Sequence, residues 1–463
     1  MKKPDFIAYF AAFSPLAMSV IRFFTTTVFL FLWMSGVIAQ TMDTLAPAKK
    51  EHVPGIQFSG FVDCDLFLDS RQTVNAREGQ WYFYPENRKP DAEGKDINAH
   101  ASYNILSIQT RVTGTIHGPE IGKIRTMGLI EGEFYGNINP NINTFRLRHA
   151  WIGLAWKKTE LLIGQYWHPM YVTSSSPEVV SLNAGAPFII FTRNPQLRIT
   201  THAGHHKFIA AALVQLDAPS TGPDGPSPKY QRNSMLPEGC LQWQYIRNNP
   251  AEGIDYLFGA SASCLVLCPR LQTDVILRPA FDTIINQEVV HVNAVTASYT
   301  THETTTALSF SAFGKLRLPA FSVKAGGIYA QNSFAYNMIG GYAVKQVTDS
   351  LTGAVSYAPI ATASLWCDIK TNGKIWQAGL YGGYSANLGA ASDLVGPYYS
   401  RGSNIAYLYR IAPRVICLLG KFRMAGELDY TNAGYGSANK NGTVSEVHAL
   451  ANLRLLLSFV YYF

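Results

Sequence analysis

GIQFSGFVDCDLFLD, residues Gly55 to Asp69, changes character with every second residue. One face carries Phe58, Gly60, Val62, Cys64, Leu66 and Leu68, and the other carries Gln57, Ser59, Asp63, Asp65 and Asp69. Successive side chains of a strand point to opposite faces. Three carboxylates on one face and an apolar row on the other therefore describe a strand with a wet side and a dry side. In a helix of the same sequence the carboxylates would be spread around the axis. The stretch is also long enough to cross a bilayer as a tilted strand, which takes roughly 9–11 residues.

The pattern recurs along the chain. In GKIRTMGLIEGEFYG (Gly122 to Gly136) the polar face carries Lys123, Arg125, Glu131 and Glu133. In NTFRLRHAWIGLAW (Asn143 to Trp156) Phe145, Leu147 and Trp151 oppose Arg146 and Arg148. Arg198 and His202 share a face of PQLRITTH, and Gln242 and Gln244 oppose Leu241, Trp243 and Tyr245. The final strand places Leu453, Leu455, Leu457, Phe459, Tyr461 and Phe463 on one face, opposite Asn452, Arg454 and Ser458. A soluble domain more often frays into a polar tail. A closed barrel pairs its last strand with its first, so its apolar pattern can run to the last residue.

Turns supply a second regularity. Short turns are expected at 117–122, 157–159, 204–207, 248–253, 318–320, 372–374 and 412–414. Longer loops are expected at 70–97, 168–194, 218–237, 332–360, 387–401 and 431–445. Short turns alternating with long loops mark a transmembrane antiparallel β-barrel, with the turns periplasmic and the long loops extracellular. A plain reading yields about 17 strands, an odd number, whereas single-chain bacterial barrels have even numbers. Assigning residues 287–301 to an external loop brings every short turn to one side. The expected fold is all-β, a barrel of about 16 strands over residues 55–463, with both termini periplasmic.

Composition agrees. The 463-residue chain is 13% aromatic and 15% charged, against about 25% charged in a typical soluble protein. Its net charge of +7 is dispersed, without a basic block or a nucleic-acid motif, so no nucleic-acid partner is expected. The six cysteines form no CxxC and have no His pair at zinc-finger spacing; they read as small hydrophobes, with a disulfide as the lesser alternative.

The run FFTTTVFLFLWMSGVIA (Phe23 to Ala39) follows Arg22 and ends in small residues suited to signal-peptidase cleavage. Residues 1–39 are expected to be a signal peptide, with Met18 a possible true start and an uncleaved anchor the alternative. Residues 40–54 then form a short periplasmic segment, too short for a plug domain.

The stretches DSRQT (Asp69 to Thr73), GQYWHPM (Gly164 to Met170), NAGAPF (Asn183 to Phe188) and RNPQLR (Arg193 to Arg198) resemble those of Bacteroidota outer-membrane porin-like proteins. That group is similar to the sixteen-stranded DcaP-like porins. The resemblance covers most of the chain after about residue 55. It implies an outer-membrane diffusion channel for small solutes, often a homotrimer. The terminal Phe459, Tyr461 and Phe463 also resemble the signal read by the outer-membrane barrel assembly machinery.

No HExxH, GxSxG, P-loop or GxGxxG occurs, and no cofactor is called for. His202, His205 and His206 cluster at a turn and read as solvated, with no metal expected. Asp63 and Asp65 read as pore wall before they read as an acid–base pair. Charge is costly toward lipid. Lys123, Arg125, Arg146, Arg148 and Arg198, with Asp63, Asp65, Glu131 and Glu133, are therefore the candidate lumen residues. They either pair among themselves or form a basic ladder facing acidic groups that mildly prefers small anionic or polar solutes. The apolar segment 168–194 is expected to fold into the lumen, the alternative being a subunit interface. Two further classes stay open: a plugged barrel that binds surface ligands or partners, and a barrel enzyme.

Overall fold

A computed structural model of the chain describes residues 55–249, 252–285 and 287–463. The expected signal peptide and the whole of the segment 40–54 lie outside the described residues. Sixteen strands form a closed antiparallel wall. They are β1 (Gly55–Asp69), β2 (Ser102–Leu106 and Arg111–Ile121, interrupted at 107–110), β3 (Ile124–Glu133), β4 (Arg146–Ala155), β5 (Thr159–Trp167), β6 (Arg193–Ala203), β7 (His206–Leu213) and β8 (Glu238–Asn249). The second half comprises β9 (Ile254–Leu267), β10 (Thr305–Arg317), β11 (Phe321–Gln331), β12 (Ala354–Thr371), β13 (Trp376–Gly389), β14 (Ile405–Leu419), β15 (Phe422–Ala438) and β16 (Val444–Tyr462).

Closure is made by β1 against β16, from Phe61 opposite Tyr462 to Asp69 opposite Arg454. An ion pair marks that last rung: the Arg454 guanidinium donates to both Asp69 oxygens, at 2.9 and 2.6 Å. At the other end the backbones of Gly60 and Phe463 exchange hydrogen bonds. A Cβ at Gly60 would lie 2.2 Å from the Arg111 carbonyl oxygen and 2.6 Å from the Phe463 ring, so only glycine fits that seam. The outer face presents Phe58, Ile152 and Leu365, all more than 60% exposed, as an apolar belt. The inner face is polar. A closed wall with a dry exterior is what a bilayer demands, because every backbone group is then satisfied.

Strands follow one another with only 122–123, 156–158, 204–205, 250–253, 318–320, 372–375 and 420–421 between them on one rim. Two expected boundaries move most. Ala412–Arg414 is not a turn but lies inside β14, where the pairing to β15 skips Ala412 and Pro413, proline having no N–H to offer. The expected loop at 431–445 shrinks to 439–443, because β15 stays paired with β16 as far as Ala438. The stretch 287–301 does lie outside the wall, but it is not irregular: its strands pair within the insertion between β9 and β10.

Candidate channel interior

Residues 168–192 leave β5 and cross the barrel to its far wall. There the strap is held through its backbone. Asp368 on β12 accepts the Glu178 N–H at 2.8 Å. Glu427 on β15 accepts the N–H groups of Val180 and Ser181, at 2.7 and 3.2 Å. Ser364 donates to the Phe188 carbonyl and Arg410 to that of Ala186. The Glu178 carboxylate is clamped by Lys324, at 2.6 Å, and by Lys370. Burial pushes that carboxyl upward, but the two ammoniums more than reverse the push and hold it at about 2. The apolar residues of the segment, Val180 and Phe188–Phe191, are buried inside the barrel, not on a subunit surface.

Two more segments meet the strap. Trp81–Tyr84 comes from the loop 70–101 and Ser333–Tyr336 from the loop 332–353. The rings of Trp81, Trp167, Tyr171 and Phe191 pack tilted or edge-to-face at centroid separations of 4.5 to 5.1 Å. Arg410 donates to both Ala186 O and Phe83 O, tying two loops to the wall. Glu238 forms a buried hub that accepts from Tyr336 at 2.7 Å and from Ser263, with His168 Nε2 at 3.0 Å. The long-loop half of the lumen is thus occupied by one packed core.

Four of the nine candidate lumen residues converge. Glu133, fully buried, receives Arg111 at 3.0 Å, Arg146 at 2.8 Å and Arg148 at 2.5 Å. Glu131 receives Arg148 at 2.8 Å. Asp217 binds Arg146 and Arg193, at 3.0 and 2.6 Å. The arginines are therefore no free ladder; they interlock with carboxylates. A bulge makes this possible: the pairing of β3 with β4 shifts between Glu131 and Gly132, leaving Arg148 as the extra residue. Its neighbour His149 also turns inward, and so does Trp151, whose ring lies against Tyr166 and whose indole N–H is buried. Strict alternation from Phe145 and Leu147 puts Trp151 on the opposite, lipid-facing side.

The remaining candidates disperse. Arg198 faces inward with its guanidinium over Tyr166 and bonds the Trp167 carbonyl at 2.6 Å, with no ion pair among the described residues. Asp63 and Asp65 are buried beneath the loop 70–101, Asp65 accepting from Gln80 at 2.9 Å. Lys123 sits in the two-residue turn after β2, exposed and off the wall, and Arg125 is exposed one step inside the same rim. Phe459 and Tyr461 on β16, and Phe463 just past its end, point outward. Arg111, Arg193 and Asp217 escaped the sequence reading. Arg111 shares a face with Thr113 and Thr115, a weak signal; Asp217 lies in a loop, where periodicity carries none. Among the described residues no group of three or more His, Cys, Asp or Glu side chains is placed to hold a metal, and all six cysteines are free.

No protein-family model matches this chain, and no curated protein matches it. Solved structures do. The outer membrane channel DcaP of Acinetobacter baumannii aligns at 15% identity over 90% of this chain and 100% of its own, with a TM-score of 0.61. The fold is that of a sixteen-stranded outer-membrane channel. An outer-membrane OmpT of Vibrio cholerae (11% identity, 90% of this chain, 99% of its own) and an anion-selective porin from Comamonas acidovorans (10% identity, 89% and 100%) align with TM-scores of 0.49 and 0.48.

Proposed function

We propose that the chain is an integral outer-membrane porin, a passive diffusion channel for small polar solutes, anionic ones among them. One observation carries the reading: a closed barrel with an apolar outer belt holds a charged inner wall and is narrowed by a strap anchored across it. Strands β12 to β16 are sheathed by loops, Arg410, Asp429, Thr431 and Arg454 being at most 2% exposed. Arg111 on β2, Glu131 on β3, Arg146 on β4 and Asp217 in the loop after β7 keep side-chain exposures of 11 to 18%. In this reading the water path follows β2 to β4 and the loop that carries Asp217. Four arginines share three carboxylates there, and Arg198 adds a further positive charge, which favours anions.

The short turns face the periplasm in this reading, and Phe459, Tyr461 and Phe463 form the signal for the barrel assembly machinery. The surrounding partner is outer-membrane lipid and the assembly a homotrimer; the leader is a cleaved signal peptide. A Bacteroidota origin rests on the sequence resemblance alone. No enzymatic activity is part of the proposal. The packed loop core favours a second reading, a gated barrel whose loops bind a surface ligand and open only then.

Planar-bilayer recording tests both. Steady conductance with an anion-selective reversal potential, shifted toward cations by Arg146→Glu, is the expected result. A folded barrel that never conducts would overturn the open-porin reading in favour of the gated one.

A further inference from the structure

The rim of short turns carries charge that the protein leaves unbalanced. Lys123, Lys157, Lys158, Lys374 and Lys421 stand in four of its turns, and Arg247 lies two residues before the end of β8. All six are exposed, and none has an ion pair among the described residues. The acids beside them are fewer: Glu120, Glu160 and Glu252 are exposed, and Asp255 faces Arg317 at 3.9 Å. The long-loop rim differs, because its cations are met by acids. Lys95 pairs with Glu93 at 2.7 Å, Lys229 with Asp224 at 2.6 Å and Arg270 with Glu303 at 3.2 Å.

Aromatic rings on the outer face accompany these cations. Trp156 adjoins Lys157, and Trp376 lies two residues from Lys374. Tyr461 pairs across from Phe422, the neighbour of Lys421. Tyr245 shares the outer face of β8 with Arg247 and packs on Phe258 at a centroid distance of 5.1 Å. Trp156, Trp376, Phe258 and Tyr461 are 38 to 55% exposed. A girdle of aromatic rings marks the level at which hydrocarbon gives way to headgroups. The turn cations, one step beyond it, therefore stand at headgroup depth, with apolar stems suited to that boundary.

We propose that the short-turn rim is a binding surface for anionic phospholipid headgroups of the adjoining leaflet. The proposal rests on the short turns facing the periplasm, as in the reading above. Charge complementarity selects the occupant: a phosphodiester without a compensating ammonium offers a net anion at the depth where the lysines lie. The turns that bear Lys123 and Lys157–Lys158 are successive on the rim and two strand spacings apart, about 10 Å. The same holds for the turns that bear Lys374 and Lys421. Each pair of turns thus presents its cations to one lipid from two sides.

The test is native mass spectrometry of the delipidated full chain in detergent, with equimolar phosphatidylglycerol and phosphatidylcholine of identical acyl chains. Wild type should retain the anionic lipid in preference to the zwitterionic one, less so as salt is raised. In Lys157→Gln/Lys158→Gln that preference should fall about fivefold for each lysine removed, with the heat-modifiable mobility of a folded barrel unchanged. Lys345→Gln/Lys440→Gln, on the long-loop rim, should leave it intact. Should the glutamine variant not fold, Lys374→Gln/Lys421→Gln asks the same question on the second pair of turns. Equal retention of the two lipids, or a preference that survives both sets of turn substitutions, overturns the proposal. So does a wild type that ignores lipid charge but binds solubilised peptidoglycan fragments, since the rim would then meet the carboxylates of the cell wall. Retention of the anionic lipid by a barrel that never conducts supports the proposal while the open-porin reading falls.

Discussion

Replacing Glu427 by alanine should free the strap that crosses the lumen. Glu427 is 2% exposed and accepts two backbone N–H groups of the strap, from Val180 and Ser181. Hydrogen bonds to a charged group contribute about 1.5–3 kcal/mol each, so the pair contributes roughly 3–6 kcal/mol. Against this stands the cost of burying a carboxylate that has no ion pair among the described residues, and its removal offsets part of the loss. A net loss of about 3 kcal/mol shifts the docked–undocked balance of the strap by about 100-fold. The remaining anchors at Asp368, Arg410 and the Glu178 clamp keep the strap attached at its ends, so its middle should fluctuate. Single-channel recording of the purified variant should show larger and noisier openings than wild type. Glu427→Gln, which retains an acceptor for one N–H, should fall between. A folded Glu427→Ala barrel with wild-type conductance and noise would refute the argument that these bonds hold the strap.

Three further outcomes follow from the same geometry. Gly60→Ala should overpack the closing seam against the Arg111 carbonyl and the Phe463 ring, costing about 1–3 kcal/mol and lowering the yield of heat-modifiable barrel on refolding; an unchanged yield would show that the seam relaxes freely. Glu133→Gln should leave three arginines around a neutral amide, lowering stability by about 3–5 kcal/mol in denaturant titration in detergent and raising anion selectivity. The Glu178 carboxyl is held below its ordinary 4.5, at about 2, so its clamp should be intact above pH 4.5 and lost as pH falls through about 2. Conductance should therefore show no step from this clamp between pH 5 and 8; a step there that Glu178→Gln abolishes would contradict the assignment.

Much of this protein is legible in one dimension. Period-two alternation with carboxylates confined to one face, as in Gly55–Asp69, specifies a strand between water and oil, because strand geometry alone decides which side chains share a face. Parity of turns then yields sixteen strands, since a closed wall must return to its starting rim. What alternation cannot register is a shift in pairing. The bulge at Arg148 turned Trp151 inward and delivered His149 beside Glu131, a change visible only once β3 and β4 lie side by side. Proline and polar runs misled for the same reason: a neighbouring strand or an overlying loop decided whether Pro413 or Thr431–Ala438 stayed in the wall. The charged interior shows the limit most clearly. Sequence placed Arg146 and Arg148 in the lumen; only the tertiary structure brought Arg111, Arg193 and Asp217 to them from separate strands and loops, and so converted a supposed ladder into an interlocked network. Faces are local properties of the chain, whereas partners are set by closure and by the path of loops through space.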